Sequence, residues 1–286
     1  MKYIISTDST ADLPESYVKE HELAIQFLSY TFGDTTYDAK NQMEPKAFYE
    51  LMRKGEMPTT NACIPEEVKN SFESYLKEGY DVLHIGFSSG LSASFNNARL
   101  AAEELAEAYP DRKILLVDSL CASLGQGLFV HKAVTMKENG ASIDEVYDWL
   151  ENNKSHVCQH FTVDDLFHLH RGGRVSKATA IVGTIINIKP VLHVDDEGHL
   201  TSLCNVRGRK KALLKLVENM AEPIQGHDND IVFISHGDCL ADAEFVANQI
   251  KERYGIASFL INYVSPTIGS HSGPGTVALF YMGEKR

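Results

Sequence analysis

A strand that stops in a cluster of hydroxyls where a helix begins constrains this chain more than any other stretch. In Asp81 to Ala101, DVLHIGFSSGLSASFNNARLA, the residues Val82, Leu83, Ile85 and Phe87 make an apolar run of strand length. Ser88-Ser89-Gly90 breaks it, and Leu91, Phe95, Ala98 and Ala102 resume at helical spacing. A helix start of this kind offers unpaired backbone N–H groups and the positive end of a dipole, which together suit an anion. Four hydroxyls, on Ser88, Ser89, Ser92 and Ser94, crowd the turn.

The same order recurs on either side. Lys2 to Thr7 is a short apolar strand ending at Asp8-Ser9, and Lys113 to Val117 is another ending at Asp118-Ser119. Asp12-Leu13-Pro14-Glu15 reads as an N-cap with proline at the first helical position, opening a helix that reaches Glu20. Leu23 to Tyr30 is expected as one strand, Gly33-Asp34 as a hairpin turn, and Glu44-Pro45 as the entry to a helix carrying Phe48, Leu51 and Met52. Pro58 to Pro65 has no apolar period and is expected as a loop before a helix from Glu66 to Lys77. Helices near Leu124 to Lys137 and Ser142 to Asn153 complete an α/β/α unit whose parallel sheet is covered on both faces. Ligands of such sheets bind at the strand carboxyl ends.

From Val157 onward hairpin chemistry takes over. Val191 to Val194, Asp195-Asp196-Glu197-Gly198 and Leu200 to Val206 read as strand, turn, strand. Further strands are expected at Ile231 to Ser235, Ser258 to Val264 and Val277 to Met282, between helices near Lys210 to Met220 and Ala241 to Tyr254. The expected fold class is α/β: an N-terminal α/β/α parallel-sheet domain over residues 1–156, joined to a C-terminal α+β domain with a mostly antiparallel sheet over 157–286.

Length and charge bound the function. With 286 residues, 43% of them hydrophobic, the chain can bury a large core. It has no run of about 18 apolar residues. The start MKYIISTDST turns polar after Ile5, so neither a membrane span nor a signal peptide is expected, and the expected location is cytoplasmic. A net charge of −12 opposes a phosphate backbone and an anionic bilayer, so no nucleic-acid partner and no stable membrane insertion are expected. The five cysteines, Cys63, Cys121, Cys158, Cys204 and Cys239, never form a Cys-x-x-Cys pair and read as reduced packing thiols. His168-x-His170 lacks a carboxylate or cysteine to complete a ligand set, so no metal and no cofactor are expected.

Gly86-Phe87-Ser88-Ser89-Gly90 satisfies the Gly-x-Ser-x-Gly form of a nucleophile elbow. Under that reading Ser88 attacks an ester, with His271 as base and Asp238 as acid. Against it stand the short run of parallel strands, the missing His-Gly-Gly oxyanion motif and the surplus of serines. A turn that merely caps a helix explains one serine better than four. Arg171-Gly172-Gly173-Arg174 sets two guanidiniums on a flexible backbone, where their forks match carboxylate or phosphate oxygens; solvated arginines at a turn are the plain alternative. Ala178 to Leu192 is apolar nearly all round, as in a buried helix, with a pocket wall as the less common alternative. Gly269 to Thr276 is a glycine-rich loop with one histidine able to donate to an oxyanion, and Thr59-Thr60-Asn61 adds hydroxyl and amide donors.

The order of these motifs resembles the DegV family, the fatty-acid-binding subunits of bacterial fatty acid kinase. The resemblance is carried by Asp8-Ser9 with Asp12-Leu13-Pro14, Pro58-Thr59-Thr60, Ser88-Ser89-Gly90-Leu91-Ser92, Val117-Asp118-Ser119, Arg171-Gly172-Gly173-Arg174 and Gly273-Pro274-Gly275-Thr276, and spans essentially the whole chain. It implies two domains with a long-chain fatty acid in a tunnel between them and its carboxylate near the serine loop. It implies no independent catalysis: a separate kinase subunit phosphorylates the bound carboxylate to acyl phosphate for phospholipid synthesis. Carried over by motif, Thr60 and Ser92 bond the carboxylate, His271 and Arg171 lie near the mouth, and Arg207 is the candidate contact for the kinase. The family's Thr-Ser-Gln-Pro reads Thr60-Asn61-Ala62-Cys63, so Asn61 brings an amide where a hydroxyl is usual. Its Leu-Ser-Gly-Thr-Tyr reads Leu91-Ser92-Ala93-Ser94-Phe95. Head-group geometry is therefore expected to differ in detail. A serine esterase built on Ser88, or a carrier of another apolar anion, are the rival readings.

Overall fold

The computed structural model describes residues 2–176 and 187–286. Its strands are β1 (Tyr3–Asp8), β2 (Ala24–Gln26), β3 (Ser29–Phe32), β4 (Thr35–Tyr37), β5 (Thr59–Asn61), β6 (Asp81–Gly86), β7 (Ile114–Asp118), β8 (Val157–Thr162), β9 (Ile188–Val194), β10 (Leu200–Arg207), β11 (Val232–His236), β12 (Phe259–Tyr263) and β13 (Val277–Met282). One sheet is parallel throughout, in the order β2-β1-β6-β7. A second runs β10-β9-β8-β13-β11-β12 and is antiparallel except for the β11–β12 pair. The small sheet β4-β3-β5 stands beside them. Every strand of the all-parallel sheet precedes residue 156 and the whole six-stranded sheet follows it, so the fold class read from the sequence is the one observed.

Apolar runs in β1 and β6 are buried on both faces, as a covered parallel sheet requires. On one face the helices Pro65–Lys77 and Ser94–Ala108 place Phe72, Leu76, Ala98 and Leu105 against Ile4 and Val82. The helix Leu124–Glu138 covers the other face and is buried without a break from Leu124 to Val130, because it lies between the two large sheets. It meets Ile5, Leu83 and Val117 on one side and Phe161, Phe233 and Phe280 on the other. The outer face of the antiparallel sheet is covered by the helices Arg209–Glu218 and Leu240–Tyr254. Across five strands of that sheet Leu192, Phe161, Ala278, Ser235 and Asn262 stand in register, so their side chains share one face. No helix among the described residues is long and apolar enough to cross a membrane.

Several local expectations are corrected. Leu23 to Tyr30 is not one strand: the chain leaves the parallel sheet at Phe27, the Leu28 N–H turns to Ser9 Oγ at 3.1 Å, and β3 joins another sheet. Thr59–Asn61, expected as loop, pairs with β3 as a third strand. Asp12 is not an N-cap: Pro14 holds that position, while Asp12 sits at φ 54° with its carboxyl buried and accepting from Ser123 Oγ. Half of the expected glycine loop belongs to a helix, Pro266–Ser272. The apolar stretch from Ala178 falls mostly outside the described residues, and its end, Ile188 to Leu192, is strand and not helix.

Candidate functional site

The serine turn is held from both neighbouring strands. Asp8, ending β1, accepts the Phe87 N–H at 2.6 Å, and Asp118, ending β7, accepts the Ser89 N–H at 3.2 Å. Ser88 N–H reaches the Cys121 carbonyl, Gly90 N–H the Ser88 hydroxyl, and the Leu91 and Ser92 N–H groups the Ser88 carbonyl. Every backbone donor from Phe87 to Ser92 is thus spent within the protein. The helix itself starts only at Ser94, whose N–H goes to Ser92 Oγ at 3.2 Å. The N–H groups of the turn itself, from Phe87 to Ser92, are therefore not free for an anion, and the turn offers its hydroxyls instead.

Beside the turn lies a cavity of about 260 Å³, between the carboxyl end of the parallel sheet and the inner face of the antiparallel sheet. Leu28, Phe87, Leu91, Phe161, Val264 and Phe280 give it apolar walls. Thr60, Asn61, Ser92, Arg174 and His271 also line it. The carboxyl-end location follows the general rule for open α/β sheets. Loop and helix are tied together there: Cys63 N–H donates to Ser94 Oγ at 3.2 Å, and Asn97 Nδ2 donates to the Cys63 carbonyl at 2.8 Å.

Thr60 Oγ1 lies 2.8 Å from His271 Nε2. Burial, then the charges of Arg174 and Arg171, depress the His271 pKa to about 4, so the ring is neutral at physiological pH. Its Nδ1 is buried against Gly172 with no partner among the described residues. A bare lone pair is tolerated there better than an orphaned N–H, which assigns the proton to Nε2 and makes Thr60 Oγ1 the acceptor. Thr60 keeps its own hydroxyl proton for the cavity. Ser92 Oγ accepts from the Ser94 N–H and lies 3.0 Å from Ser94 Oγ, which itself accepts from Cys63 N–H. If Ser94 donates to Ser92 in that pair, the Ser92 hydroxyl proton is free for a ligand in the cavity. Asn61 Nδ2 donates to Ser29 Oγ at 3.2 Å.

The two arginines divide differently from the expectation. Arg171 does not line the cavity; its guanidinium donates to the carbonyls of Pro58 and Ser270. Arg174, half-buried, does line it and donates through Nε to the Leu91 carbonyl at 3.1 Å. Nothing in residue type separates the two; the short helix Phe167–Arg171 and the glycines after it do. Arg207 is exposed at the far end of the edge strand β10 from the cavity-lining Leu200.

The esterase constellation is not assembled. Ser88 is fully buried, donates to the Gly198 carbonyl at 2.8 Å and does not line the cavity. His271 is engaged with Thr60, and Asp238 is ion-paired with Arg53. Ser88 is accordingly expected to resist labelling by a fluorophosphonate; labelling that disappears in Ser88→Ala would revive the hydrolase reading. Among the described residues no group of three or more His, Cys, Asp or Glu is placed to hold a metal.

The DegV family model, described as that of an uncharacterised protein family, matches residues 2–284. A DegV domain-containing protein of Clostridium perfringens is 43% identical over 100% of this chain and 99% of its own length. A structure named as a fatty acid binding DegV family protein from Streptococcus agalactiae superimposes with a TM-score of 0.87 at 28% identity, covering 100% of both chains. DegV of Bacillus subtilis, named as a fatty acid binding protein, superimposes at 0.84 with 29% identity over 99% of this chain and 100% of its own. The chain belongs to the DegV family.

Proposed function

We propose that this protein binds a long-chain fatty acid in the cavity between its two large sheets. It holds the carboxylate with Thr60 and Ser92, and presents it to a separate kinase subunit for phosphorylation to acyl phosphate, feeding phospholipid synthesis. On this reading it is a cytoplasmic substrate-presenting subunit and not an enzyme by itself. The observation that carries the proposal is the pair of hydroxyls, Thr60 bonded to His271 and Ser92 bonded to Ser94, that both line a cavity with apolar walls. The DegV structures named as fatty acid binding proteins support it.

The energetics agree. Burying a sixteen-carbon chain contributes on the order of 10 kcal/mol at about 0.8 per methylene, before association costs. A carboxylate taken in without donors costs several kcal/mol, which hydroxyl donors offset. Neutral donors also leave the carboxylate oxygen more nucleophilic toward a phosphoryl group than a full salt bridge does. Exposed Arg207 is then the contact for the kinase subunit. Mass spectrometry of ligand extracted from purified protein tests the reading: a long-chain acid is expected, and recovery of a different apolar anion, or of no lipid from protein that also fails to bind added palmitate, sinks it. A smaller test sits at Gly172, where an added Cβ falls 2.0 Å from His271 Nδ1. Gly172→Ala is expected to weaken palmitate binding by roughly tenfold, the weight of one displaced hydrogen bond to a charged group; unchanged calorimetric affinity contradicts the role of His271.

A further inference from the structure

We infer that the segment Arg171–Arg174 is the positioning element of the carboxylate site, with Arg171 holding the chain segments that carry its ligands. The inference rests on the fatty-acid reading of the cavity and goes beyond it by assigning what assembles the head-group residues. Arg171 Nη1 and Nη2 both donate to the Pro58 carbonyl at 3.1 Å, and Nη2 also donates to the Ser270 carbonyl at 3.0 Å. Pro58 leads directly into β5, which presents Thr60, and Ser270 immediately precedes His271. One guanidinium therefore spans the two chain segments whose side chains meet in the 2.8 Å bond between Thr60 and His271. Gly172 forms the floor under the imidazole, close enough that no side chain fits there. Arg174 grips the Leu91 carbonyl through Nε at 3.1 Å, one residue before Ser92, and also donates to the Gly172 carbonyl.

Thr60, Ser92 and His271 come from chain segments far apart in sequence. Each is either touched by this segment or lies within two residues of a carbonyl it holds. A planar fork with fixed donors can bridge two carbonyls at once, whereas an ammonium on a flexible stem cannot hold their spacing. Arg171 is thus a positioning residue for the carboxylate site.

The test is a titration of wild type, Arg171→Lys and Arg171→Met with palmitate and with hexadecanol, alongside an NMR titration of the His271 ring. Arg171→Lys and Arg171→Met are expected to lose palmitate affinity equally, by about tenfold or more, as loss of a charge-assisted hydrogen-bond clamp implies. Hexadecanol binding is expected to stay within about threefold, because the apolar walls are untouched. In Arg171→Lys, which keeps the positive charge, the His271 pKa is expected to rise from about 4 toward the ordinary histidine value as the ring leaves its buried seat. Full palmitate affinity in Arg171→Lys alone marks a direct charge contact and overturns the proposal, as does an unmoved His271 pKa in that variant. If wild type binds neither ligand, the fatty-acid reading fails, while the His271 titration still decides whether Arg171 sets the ring.

Discussion

The double variant Thr60→Val, Ser92→Ala is expected to bind palmitate at least about a hundredfold more weakly than wild type, since each removed donor to a charged oxygen is worth ~1.5–3 kcal/mol. Both substitutions keep side-chain volume close to the original, so the apolar walls stay in place. Binding of the methyl ester of the same acid is expected to change by less than about threefold, because an uncharged ester loses far less when a donor is removed. Competition against a fluorescent fatty acid measures both affinities in one format. An equal loss for acid and ester means that the variant has damaged the cavity and not the head-group site. An unchanged acid affinity removes Thr60 and Ser92 from the carboxylate altogether. The neutral state of His271 sharpens the expectation for pH. Its pKa of about 4 lies below the ordinary histidine value, so the ring adds no charge to the site at neutral pH. The folded protein binds fewer protons there than the unfolded chain between about pH 4 and 6.5, so this group's contribution to stability is lost as pH falls through that window.

Much of this arrangement was legible from residue order, and the rest failed for identifiable reasons. β6 and the serine turn were readable because an apolar run, a Gly-Ser break and a 3.6-residue period follow one another without overlap. The Asp-Ser pairs ending β1 and β7 were visible as polar strand ends. Their use was not, because only the parallel neighbours reveal that both carboxylates take N–H groups from the turn between them. That long-range accounting takes the N–H groups of Phe87 and Ser89 away from any bound anion. β5 was missed because a three-residue polar strand owes its existence to pairing with β3 and leaves no hydrophobic period. The helix Pro266–Ser272 was hidden by its glycine and serines, although Ser265-Pro266 is an ordinary helix entry. Arg171 and Arg174 share a motif and a charge; which of them faces the cavity depends on where a five-residue helix stops.

Asp12 shows the same limit and provides a large stability effect from a single conservative change. Its carboxyl is buried where the parallel sheet meets the antiparallel one: it accepts from Ser123 Oγ, its backbone carbonyl accepts from Asn262 Nδ2 at 2.8 Å, and among the described residues Oδ1 has no well-formed hydrogen bond, only the weaker influence of nearby Ser265. Burial raises its pKa to about 7 against the partial relief given by Ser123 and Ser265. An aspartate in the unfolded chain ionises near 4, so the folded protein holds the extra proton between about pH 4 and 7. Stability from this group is therefore present at low pH and lost as pH rises through that window. The loss is bounded by ~4 kcal/mol from a shift of about three pKa units. Asp12→Asn removes the charge while keeping the shape and one acceptor. It is expected to raise stability by about 2 kcal/mol at pH 8 and by little at pH 5, a gain of several degrees in melting temperature at the higher pH only. His271 and His160, both depressed to about 4 by burial, pull the wild-type curve the other way over part of the same range. The diagnostic quantity is thus the difference between variant and wild type at each pH. A variant that changes stability equally at pH 5 and pH 8 shows that Asp12 does not carry the buried proton.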